Sequence, residues 1–254
     1  MATVYPILLV HGIVFKDSRI FKAFGKIGKK LKAQGYCVYS SRQDGFGTIE
    51  NNAAQLKAQI EEILIKEGAQ KVNLIAHSKG GLDCKYLIKE LGMEDKVASL
   101  TTLCTPHRGS PVASRIMKLP KPILKFTAFW INFWYRIFGD KHPDAYGVCK
   151  ELQRSDGGEE EVPGVYCQSF SATMQRAKDD FVMSIPLAFS RRLEKGDTDG
   201  LVPVESAKFA NYRGSFDGPL SHSQIAGFMV PKKKRERVYA FYLEICKELA
   251  DMNF

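Results

Sequence analysis

The residue of this sequence most suited to chemistry is Ser78, within the segment VNLIAHSKGG at positions 72–81. Apolar residues precede the serine and glycines follow it, which predicts a buried strand, a sharp turn and the start of a helix. A serine hydroxyl is a poor nucleophile unless a turn exposes it and a base lies beside it. The segment fits the nucleophile-elbow pattern G-x-S-x-G, except that Ala76 replaces the first glycine. Nucleophilic catalysis is the favoured interpretation, and a structural serine in a strand-to-helix turn is the alternative.

The base that such a serine needs is sought among five histidines, His11, His77, His107, His142 and His222. Hydrolases with an elbow on a parallel sheet carry the serine, the acid and the histidine in that chain order. His222, in the loop PLSHSQ, leaves room for an acid between itself and the serine. His77 is next to the nucleophile, and its side chain is expected to point away from the hydroxyl. His222 is therefore the predicted base.

The turn GDTDGLVP supplies the candidates for the acid, Asp197 and Asp199. Asp199 is favoured because Gly200 permits a tight turn behind it and the following Leu-Val pair anchors the chain. Asp197 is the alternative. Asp217 is a weaker candidate, since it lies too close to His222 in sequence to come from a separate loop.

Two backbone N–H groups are predicted to stabilise the negative charge that would develop on a substrate oxygen. The N–H of Lys79 directly follows the nucleophile and lies at a helix N-terminus, which favours negative charge. The N–H of Ile13 follows the His-Gly pair after the first predicted strand. Together with Ser78, His222 and an aspartate, these groups would form an acyl-transfer site.

Alternating strand and helix patterns predict the elements that hold these residues. Strands are predicted at 5–10, 36–39, 72–76, 97–104 and 165–170, and helices at 21–34, 49–67, 82–91, 207–211 and 235–250. Strands separated by helices of this length form a parallel sheet covered on both faces. The 254 residues show no linker between domains, so a single α/β domain over 1–254 is expected. The glycine- and glutamate-rich run at 156–161 is expected to be an exposed loop.

Composition narrows the class of protein. A hydrophobic fraction of 44% and a charged fraction of 26% are typical of a globular domain. The net charge of +9 includes the run KKKRER at 232–237, interpreted as the solvated start of the last helix, with a nuclear signal or an anionic-surface contact as the alternative. No aromatic residues interleave this run, so nucleic acid is not an expected partner. The six cysteines form no C-x-x-C pair and are expected to be free thiols in a reducing compartment.

The segment 115–149 is the predicted lid over an acyl-binding pocket. It contains ILKFTAFWINFWYRIF, in which Lys125, Asn132 and Arg136 interrupt the apolar run, so a membrane span is not expected. Helical spacing puts an aromatic set on one broad face, namely Phe126, Phe129, Trp130, Phe133 and Trp134. A lid of this composition would contact lipid or micelle surfaces transiently. A helix buried in the core is the alternative.

Four segments, YPILLVHGI, KVNLIAHSKGGLDCKY, SLTTLCTPHRGSPVA and GDTDGLVPVES, resemble the bacterial triacylglycerol lipases of the Pseudomonas and Burkholderia type, within the α/β-hydrolase superfamily. The resemblance implies the α/β-hydrolase fold with an inserted helical lid in the stretch that carries the aromatic helix. It also implies a catalytic triad of Ser78, Asp199 and His222, with the amides of Ile13 and Lys79 as oxyanion donors.

The sequence departs from these relatives at a metal site. Secreted members of the family often hold calcium through an aspartate two residues beyond the histidine, and this position is Gln224 here. Calcium prefers several carboxylate oxygens, so no metal and no other cofactor is expected. The family's cysteine pair has no evident counterpart, and no signal peptide precedes the first strand. A cytoplasmic location is therefore expected, unless the sequence is a mature secreted form.

These observations predict a serine carboxylester hydrolase, a lipase or lipid esterase, that cleaves acyl ester or lipid substrates through an acyl-enzyme intermediate. An acyltransferase or thioesterase with the same triad is the first alternative, because the sequence does not specify the acyl acceptor. A catalytically silent lipid-binding protein is the second, and the three intact triad positions argue against it.

Overall fold

The predicted parallel sheet is present in the computed structural model, which describes residues 2–14, 23–153, 162–193 and 195–254. Its six strands are β1 (Ile7–Val10), β2 (Val38–Ser40), β3 (Val72–His77), β4 (Val97–Leu103), β5 (Tyr166–Ser171) and β6 (Asn211–Ser215). They lie in the order β2-β1-β3-β4-β5-β6, and each neighbouring pair is parallel. This is the predicted α/β-hydrolase architecture. The predicted loop at 156–161 and the first two residues of the predicted helix at 21–34 lie outside the described residues.

The helices of the described residues are α1 (Ile27–Ala33), α2 (Ile49–Glu67), α3 (Lys79–Glu90), α4 (Pro111–Ile116), α5 (Lys121–Ile137), α6 (Ala145–Glu151), α7 (Ser184–Leu193), α8 (Val204–Ala207), α9 (His222–Ile225) and α10 (Lys232–Asp251). The bounds of α2 agree with the prediction because the Thr48 side chain caps its N-terminus and Gly68, with φ of 61°, ends it. α10 begins within the basic run at 232–237, whose side chains are largely exposed, as predicted.

β1 shows why the strands have unbroken apolar sequences, since both of its faces are buried. Ile7 and Leu9 pack into a core with residues of α1 and α10, whereas Leu8 and Val10 pack into a second core with residues of α2 and α3. Successive residues of a strand point to opposite faces, so a strand covered on both sides is apolar at every position. The two helical layers therefore hold the sheet edge from which the candidate residues extend.

The predicted helix at 207–211 is wrong. The short helix α8 ends at Ala207, and the edge strand β6 begins at Asn211. Between them, the N–H of Phe209 donates to the Ser169 hydroxyl and its carbonyl accepts from the same hydroxyl, which ties the chain to β5. The predicted helix shares only Ala207 with α8 and only Asn211 with β6. Five residues are too few for periodicity to identify a helix.

α5, the helix of the predicted lid segment 115–149, exposes its aromatic face. Its buried side chains are Leu124 and Ala128. The predicted lid aromatics are 44–65% exposed, namely Phe126, Phe129, Trp130, Phe133 and Trp134. The alternative of a helix buried in the core is therefore wrong. None of the described helices is long and apolar enough to cross a membrane.

α7 was not predicted from the sequence. Its buried residues are Leu187 and Ser190, which are too few to give an apolar stripe at helical spacing. Ile185 on this helix and Phe181 just before it are highly exposed. The segment therefore carries apolar residues without the one-sided burial that makes a surface helix recognisable.

Candidate active site

Ser78 lies at a tight turn between β3 and α3, with φ of 55° and ψ of −133°. A positive φ is strained for a residue with a side chain, so the surroundings must hold this turn. Ser78 N–H donates to Leu103 O, and the Ser78 carbonyl accepts from the Thr105 hydroxyl and from Gly81 N–H. These bonds join the elbow to the end of β4 and hold the serine at the carboxyl edge of the sheet.

Two glycines let the backbone approach the serine. A Cβ on Gly80 would lie 2.5 Å from His11 O, so only glycine lets α3 pass this close to the end of β1. A Cβ on Gly12 would lie 2.7 Å from Ser78 Cβ. The loop after β1 therefore packs directly against the serine. Ala76, in place of the first glycine of the pattern, is fully buried in the second core.

Ser78, His222 and Asp199 form a continuous chain of hydrogen bonds. Ser78 Oγ donates to His222 Nε2 at 2.9 Å, and His222 Nδ1 donates to Asp199 Oδ2 at 2.7 Å. All three side chains are buried, and the serine and the histidine are 144 residues apart in sequence. An imidazole placed in this way can remove the serine proton while the carboxylate fixes its tautomer.

Asp199 is held by the backbone as well as by the histidine. Its Oδ1 accepts the N–H groups of Leu201 and Val202, and its carbonyl accepts His222 N–H. Burial raises the pKa of Asp199, but His222 and the two amides outweigh burial and lower the pKa. Asp199 is therefore a charged carboxylate at neutral pH. The alternative acid, Asp197, is exposed.

His77 contacts His222. The sequence showed that His77 is adjacent to Ser78, but it did not reveal this contact. His77 Nε2 donates to His222 O at 2.8 Å, and the two ring centroids are 4.6 Å apart. Burial, followed by the neighbouring His222, lowers the pKa of His77 to about 3. His77 is therefore a neutral donor at physiological pH that holds the backbone of His222.

The other candidates do not join this chain of hydrogen bonds. His107 Nε2 pairs with the Thr102 hydroxyl, and His142 follows α5. Asp217 is exposed and forms a surface ion pair. His11 lines the cavity beside the serine, but its Nδ1 donates to the carbonyl of the next residue.

The two residues with the predicted oxyanion donors lie close to the serine. Lys79 is the first residue of α3, and Ile13 lines the cavity that contains Ser78. The N-terminus of α3 adds the positive end of its dipole at this point. The arrangement can stabilise a developing oxyanion, and the role of the two amides stays a prediction.

Ser78 lines a cavity of about 220 Å³. Much of its lining is apolar and comes from the loop after β1, the regions before α1 and α7 and the turn after α7, including Ile13, Val14, Phe24, Met183 and Leu201. The polar side chains that reach into it include those of the serine and His222. An apolar cavity with few polar groups suits an acyl chain whose carbonyl carbon lies at the nucleophile.

The predicted lid aromatics do not form this cavity. Phe126, Phe129, Trp130, Phe133 and Trp134 are absent from the described residues that line it. α5 instead reaches the cavity wall through Tyr135, whose hydroxyl donates to Val14 O at 2.9 Å. The structure thus places α5 next to the cavity with its aromatic face exposed, and the substrate-binding role of that face stays a prediction.

The residues around α9 do not fit the calcium site of the secreted lipases. Asp180 Oδ2 accepts the hydroxyls of Ser221 at 2.5 Å and Ser223 at 2.7 Å. Gln224 Nε2 donates to Asp179 O at 2.9 Å. A calcium ion needs six to eight oxygen ligands, of which several are carboxylates. Here the position two residues beyond the histidine offers an amide, and the nearby Asp180 carboxylate is already engaged by two hydroxyls, so the donor set argues against calcium.

Cys104 brings a thiol next to the triad, which the sequence did not reveal. The ligand atoms of Cys104, Asp199 and His222 lie within 4.8 Å of one another, and these residue types bind zinc. Zinc requires the thiolate, however, and burial together with Asp199 raises the pKa of Cys104 well above its usual value. The imidazole and the carboxylate are already bonded to each other. The group therefore fits a protonated thiol beside the triad better than a metal centre.

Known proteins are similar to this chain in sequence and in fold. The family model described as palmitoyl protein thioesterase matches residues 6–142, a little over half of the chain. Triacylglycerol lipase 2 of Saccharomyces cerevisiae is 30% identical over 90% of this chain and 73% of its own length. The triacylglycerol lipase of Burkholderia plantarii is 37% identical, and that match covers 47% of this chain and 34% of the relative.

Solved structures share the fold across nearly the whole chain. The Staphylococcus hyicus lipase has a TM-score of 0.72 at 14% identity, covering 97% of this chain and 95% of that one. The mature Bacillus licheniformis lipase has a TM-score of 0.67 at 21% identity, covering 96% of this chain and 92% of that one. The chain therefore belongs to the triacylglycerol lipase family of the α/β-hydrolase superfamily, and it is a carboxylic ester hydrolase.

Proposed function

We propose that this chain hydrolyses acyl esters of lipids, with Ser78 as the nucleophile, His222 as the base and Asp199 as the acid that orients it. The observation that carries the proposal is the unbroken chain of hydrogen bonds from Ser78 Oγ through His222 to Asp199. The apolar cavity at the serine and the lipase relatives support a lipid ester as the substrate.

In the first half of the reaction, Ser78 Oγ attacks the ester carbonyl carbon as its proton passes to His222 Nε2. The amides of Lys79 and Ile13 stabilise the oxyanion. When the tetrahedral intermediate collapses, the carbon–oxygen bond of the alcohol breaks and His222 gives the proton to the leaving oxygen. In the second half, His222 takes a proton from water as the water oxygen attacks the acyl carbon. The bond from that carbon to Ser78 Oγ then breaks, His222 returns the proton to Oγ, and the fatty acid leaves.

The aromatic face of α5 serves in this proposal as a transient contact with the lipid surface. The exposed aromatic side chains would gain about 25 cal/mol per Å² on burial in lipid. α5 is also linked to the cavity wall through the bond from Tyr135 to Val14. A change in the position of α5 at a lipid surface would therefore move Val14 in the cavity wall.

The nucleophile is tested by Ser78→Ala. The variant should fold normally and lose about 10⁴-fold or more of its p-nitrophenyl ester hydrolysis, because the members of a triad act as a unit. In the native protein, a fluorophosphonate probe should label Ser78, as shown by mass spectrometry of the modified peptide. Full activity of the variant, or labelling at another residue, would contradict the assignment.

The acyl chain length and the leaving group are tested with matched substrates. A series of p-nitrophenyl esters from short to long acyl chains, with and without detergent, gives the chain-length preference. A palmitoyl thioester is included because the matching family model is described as a thioesterase. A higher kcat/KM for the oxygen ester of the same acyl chain supports a lipase or esterase, and a strong preference for the thioester contradicts it.

A further inference from the structure

One loop, at residues 41–48 between β2 and α2, is bonded to the chain after α5 and to the segment that carries Ile13, and it reaches Lys79 indirectly through Asn52 and Asp83. It is named here the β2–α2 loop. Asp44 within it is fully buried. A buried carboxylate is costly unless it is paired or accepts several hydrogen bonds, so the partners of Asp44 indicate what the loop holds in place.

On one side, the loop holds the chain that follows α5. The two carboxylate oxygens of Asp44 accept Lys141 N–H at 2.9 Å and His142 N–H at 2.7 Å. In the opposite direction, Phe46 N–H donates to Asp140 Oδ2 at 2.9 Å. Three consecutive residues after α5 are therefore bonded to the β2–α2 loop.

On a second side, the loop holds the segment that carries Ile13. Gln43 Nε2 donates to His11 O at 2.9 Å, and Val14 N–H donates to Gly45 O at 3.2 Å. These bonds lie on both sides of Ile13 in sequence. The predicted oxyanion amide of Ile13 is thus held between two fixed points on the β2–α2 loop.

On a third side, the loop reaches Lys79 through buried polar groups. Asn52 Nδ2 donates both to Asp44 O at 3.0 Å and to Asp83 Oδ2 at 3.1 Å. Asp83 Oδ1 in turn pairs with Lys79 Nζ at 2.5 Å, and both of these side chains are 1% exposed. Lys79, whose N–H group is a predicted oxyanion donor, is therefore bonded through its side chain to Asp83.

Stability alone does not explain the Lys79–Asp83 pair. A cation at a helix N-terminus opposes the helix dipole, and an isolated buried ion pair gains little net stability over apolar side chains of similar size. The pair joins two residues one turn apart in α3, so it fixes the first turn of that helix, and the bond from Asn52 to Asp83 ties this turn to α2.

We propose that Asp44 is a positioning residue that holds both oxyanion donors in register with the end of α5. The proposal rests on the proposed function, since it assigns Asp44 to the same site. The Asp44 carboxylate holds the chain after α5. The Asp44 carbonyl accepts a hydrogen bond from Asn52, which in turn bonds to Asp83 of the Lys79–Asp83 pair. The neighbouring loop residues Gln43 and Gly45 hold the segment that carries Ile13. A movement of α5 that pulls on residues 140–142 would therefore displace the oxyanion hole.

Asp44→Asn tests the proposal. The asparagine amide has one oxygen and one NH₂ group, so it can accept from only one of the N–H groups of Lys141 and His142. The other N–H group loses its acceptor, and the loop should shift slightly in a folded protein. Active sites are counted by complete reaction with a fluorophosphonate, and kinetics are measured on p-nitrophenyl butyrate. The kcat per active site should fall about 10- to 100-fold. KM should change by no more than about twofold, because an oxyanion contact is made only in the transition state.

Asp144→Asn is the matched control. The Asp144 carboxylate caps α6 through Gly147 N–H, and only its backbone N–H bonds to the β2–α2 loop, at Phe46 O. Asparagine caps a helix equally well, so the kcat per site should stay close to that of the wild type. A folded Asp44→Asn variant with an unchanged kcat per site would contradict the positioning role. An inactive wild type would contradict the proposed function instead.

Tyr135→Phe tests the link to α5, because it removes the bond from that helix to Val14 O. The double variant combines Tyr135→Phe with Asp44→Asn. If the loop and α5 act as one unit, its fold-loss in kcat per site should be smaller than the product of the two single-variant losses. Losses that simply multiply would contradict the coupling between α5 and the oxyanion hole.

Discussion

Two carboxylates in the turn after α7 lie two positions apart but have different surroundings. Asp199 is buried, bonded to His222 and held by two backbone amides, whereas Asp197 is exposed. From the sequence, turn chemistry and the family resemblance both favoured Asp199. The structure adds the reason, since only the buried carboxylate can fix an imidazole tautomer.

Asp199→Asn should keep the fold and lose roughly 10⁴-fold in kcat, because an amide at this position favours the wrong imidazole tautomer. Asp197→Asn is the matched control and should keep nearly all activity. Both are measured on the same p-nitrophenyl ester, with circular dichroism to verify folding. Reversed severities would show that Asp197 is the acid of the triad.

Asp180 connects the start of α7 to the two serines on either side of His222. Burial raises the pKa of Asp180, but the hydroxyls of Ser221 and Ser223 and the nearby amides outweigh burial and lower the pKa. A carboxyl group with a lowered folded-state pKa stabilises the fold above its unfolded pKa of about 3.9. That contribution is lost as pH falls through the folded-state pKa.

Asp180→Asn should therefore lower the Tm at neutral pH, and the difference from the wild type should shrink below about pH 4. Thermal melts across the pH range measure this. A constant Tm difference down to the lowest pH would show that the charge of Asp180 plays no part.

A chelator should leave the wild-type Tm and activity unchanged, since the donors around α9 do not fit calcium.

Among the elements, α5 combines a buried anchor with an exposed aromatic face. Leu124 and Ala128 attach the helix to the protein, whereas Trp130 and Phe133 are nearly half exposed. Side chains that are already in water contribute little to folding stability, but they can gain free energy by entering a lipid surface. The two sets of residues can therefore be tested separately.

Replacing Trp130 and Phe133 together by Ser should weaken the rise in long-chain ester hydrolysis that accompanies the passage from monomeric to aggregated substrate. The Tm should change little. Leu124→Ala on the same helix is the control, and it should cost about 2–5 kcal/mol of stability because it leaves a buried cavity. A double variant that loses stability yet responds normally to aggregated substrate would identify a soluble esterase without a lipid-contacting lid.

At the scale of the whole molecule, the sequence predicted the sheet because its central strands are buried on both faces and are therefore apolar throughout. It predicted Ser78, Asp199 and His222 because their local turns and their chain order are characteristic. Both predictions depend on patterns within short segments. The half-exposed edge strand β6 has no such pattern and was not predicted, and a helix was wrongly expected at 207–211, just before it.

The supporting residues could not be predicted in the same way. Asp44, His77, Cys104 and Asp180 contact residues that are distant in sequence or that only the folded loops bring together. No spacing rule links a carboxylate after β2 to the chain that follows α5. Such residues become visible only when the carboxyl ends of the strands meet at one edge of the sheet.

The large sequence separation between nucleophile and base has a consequence for the newly made chain. Ribosomes deliver β3, the elbow and β4 long before residue 222, so a nascent polypeptide holds its serine without an imidazole to activate it. On the proposed mechanism, hydrolysis requires His222, at the start of α9, to lie against the elbow. A growing chain that has not reached this residue would then lack the base needed to attack the lipids it meets during its own synthesis.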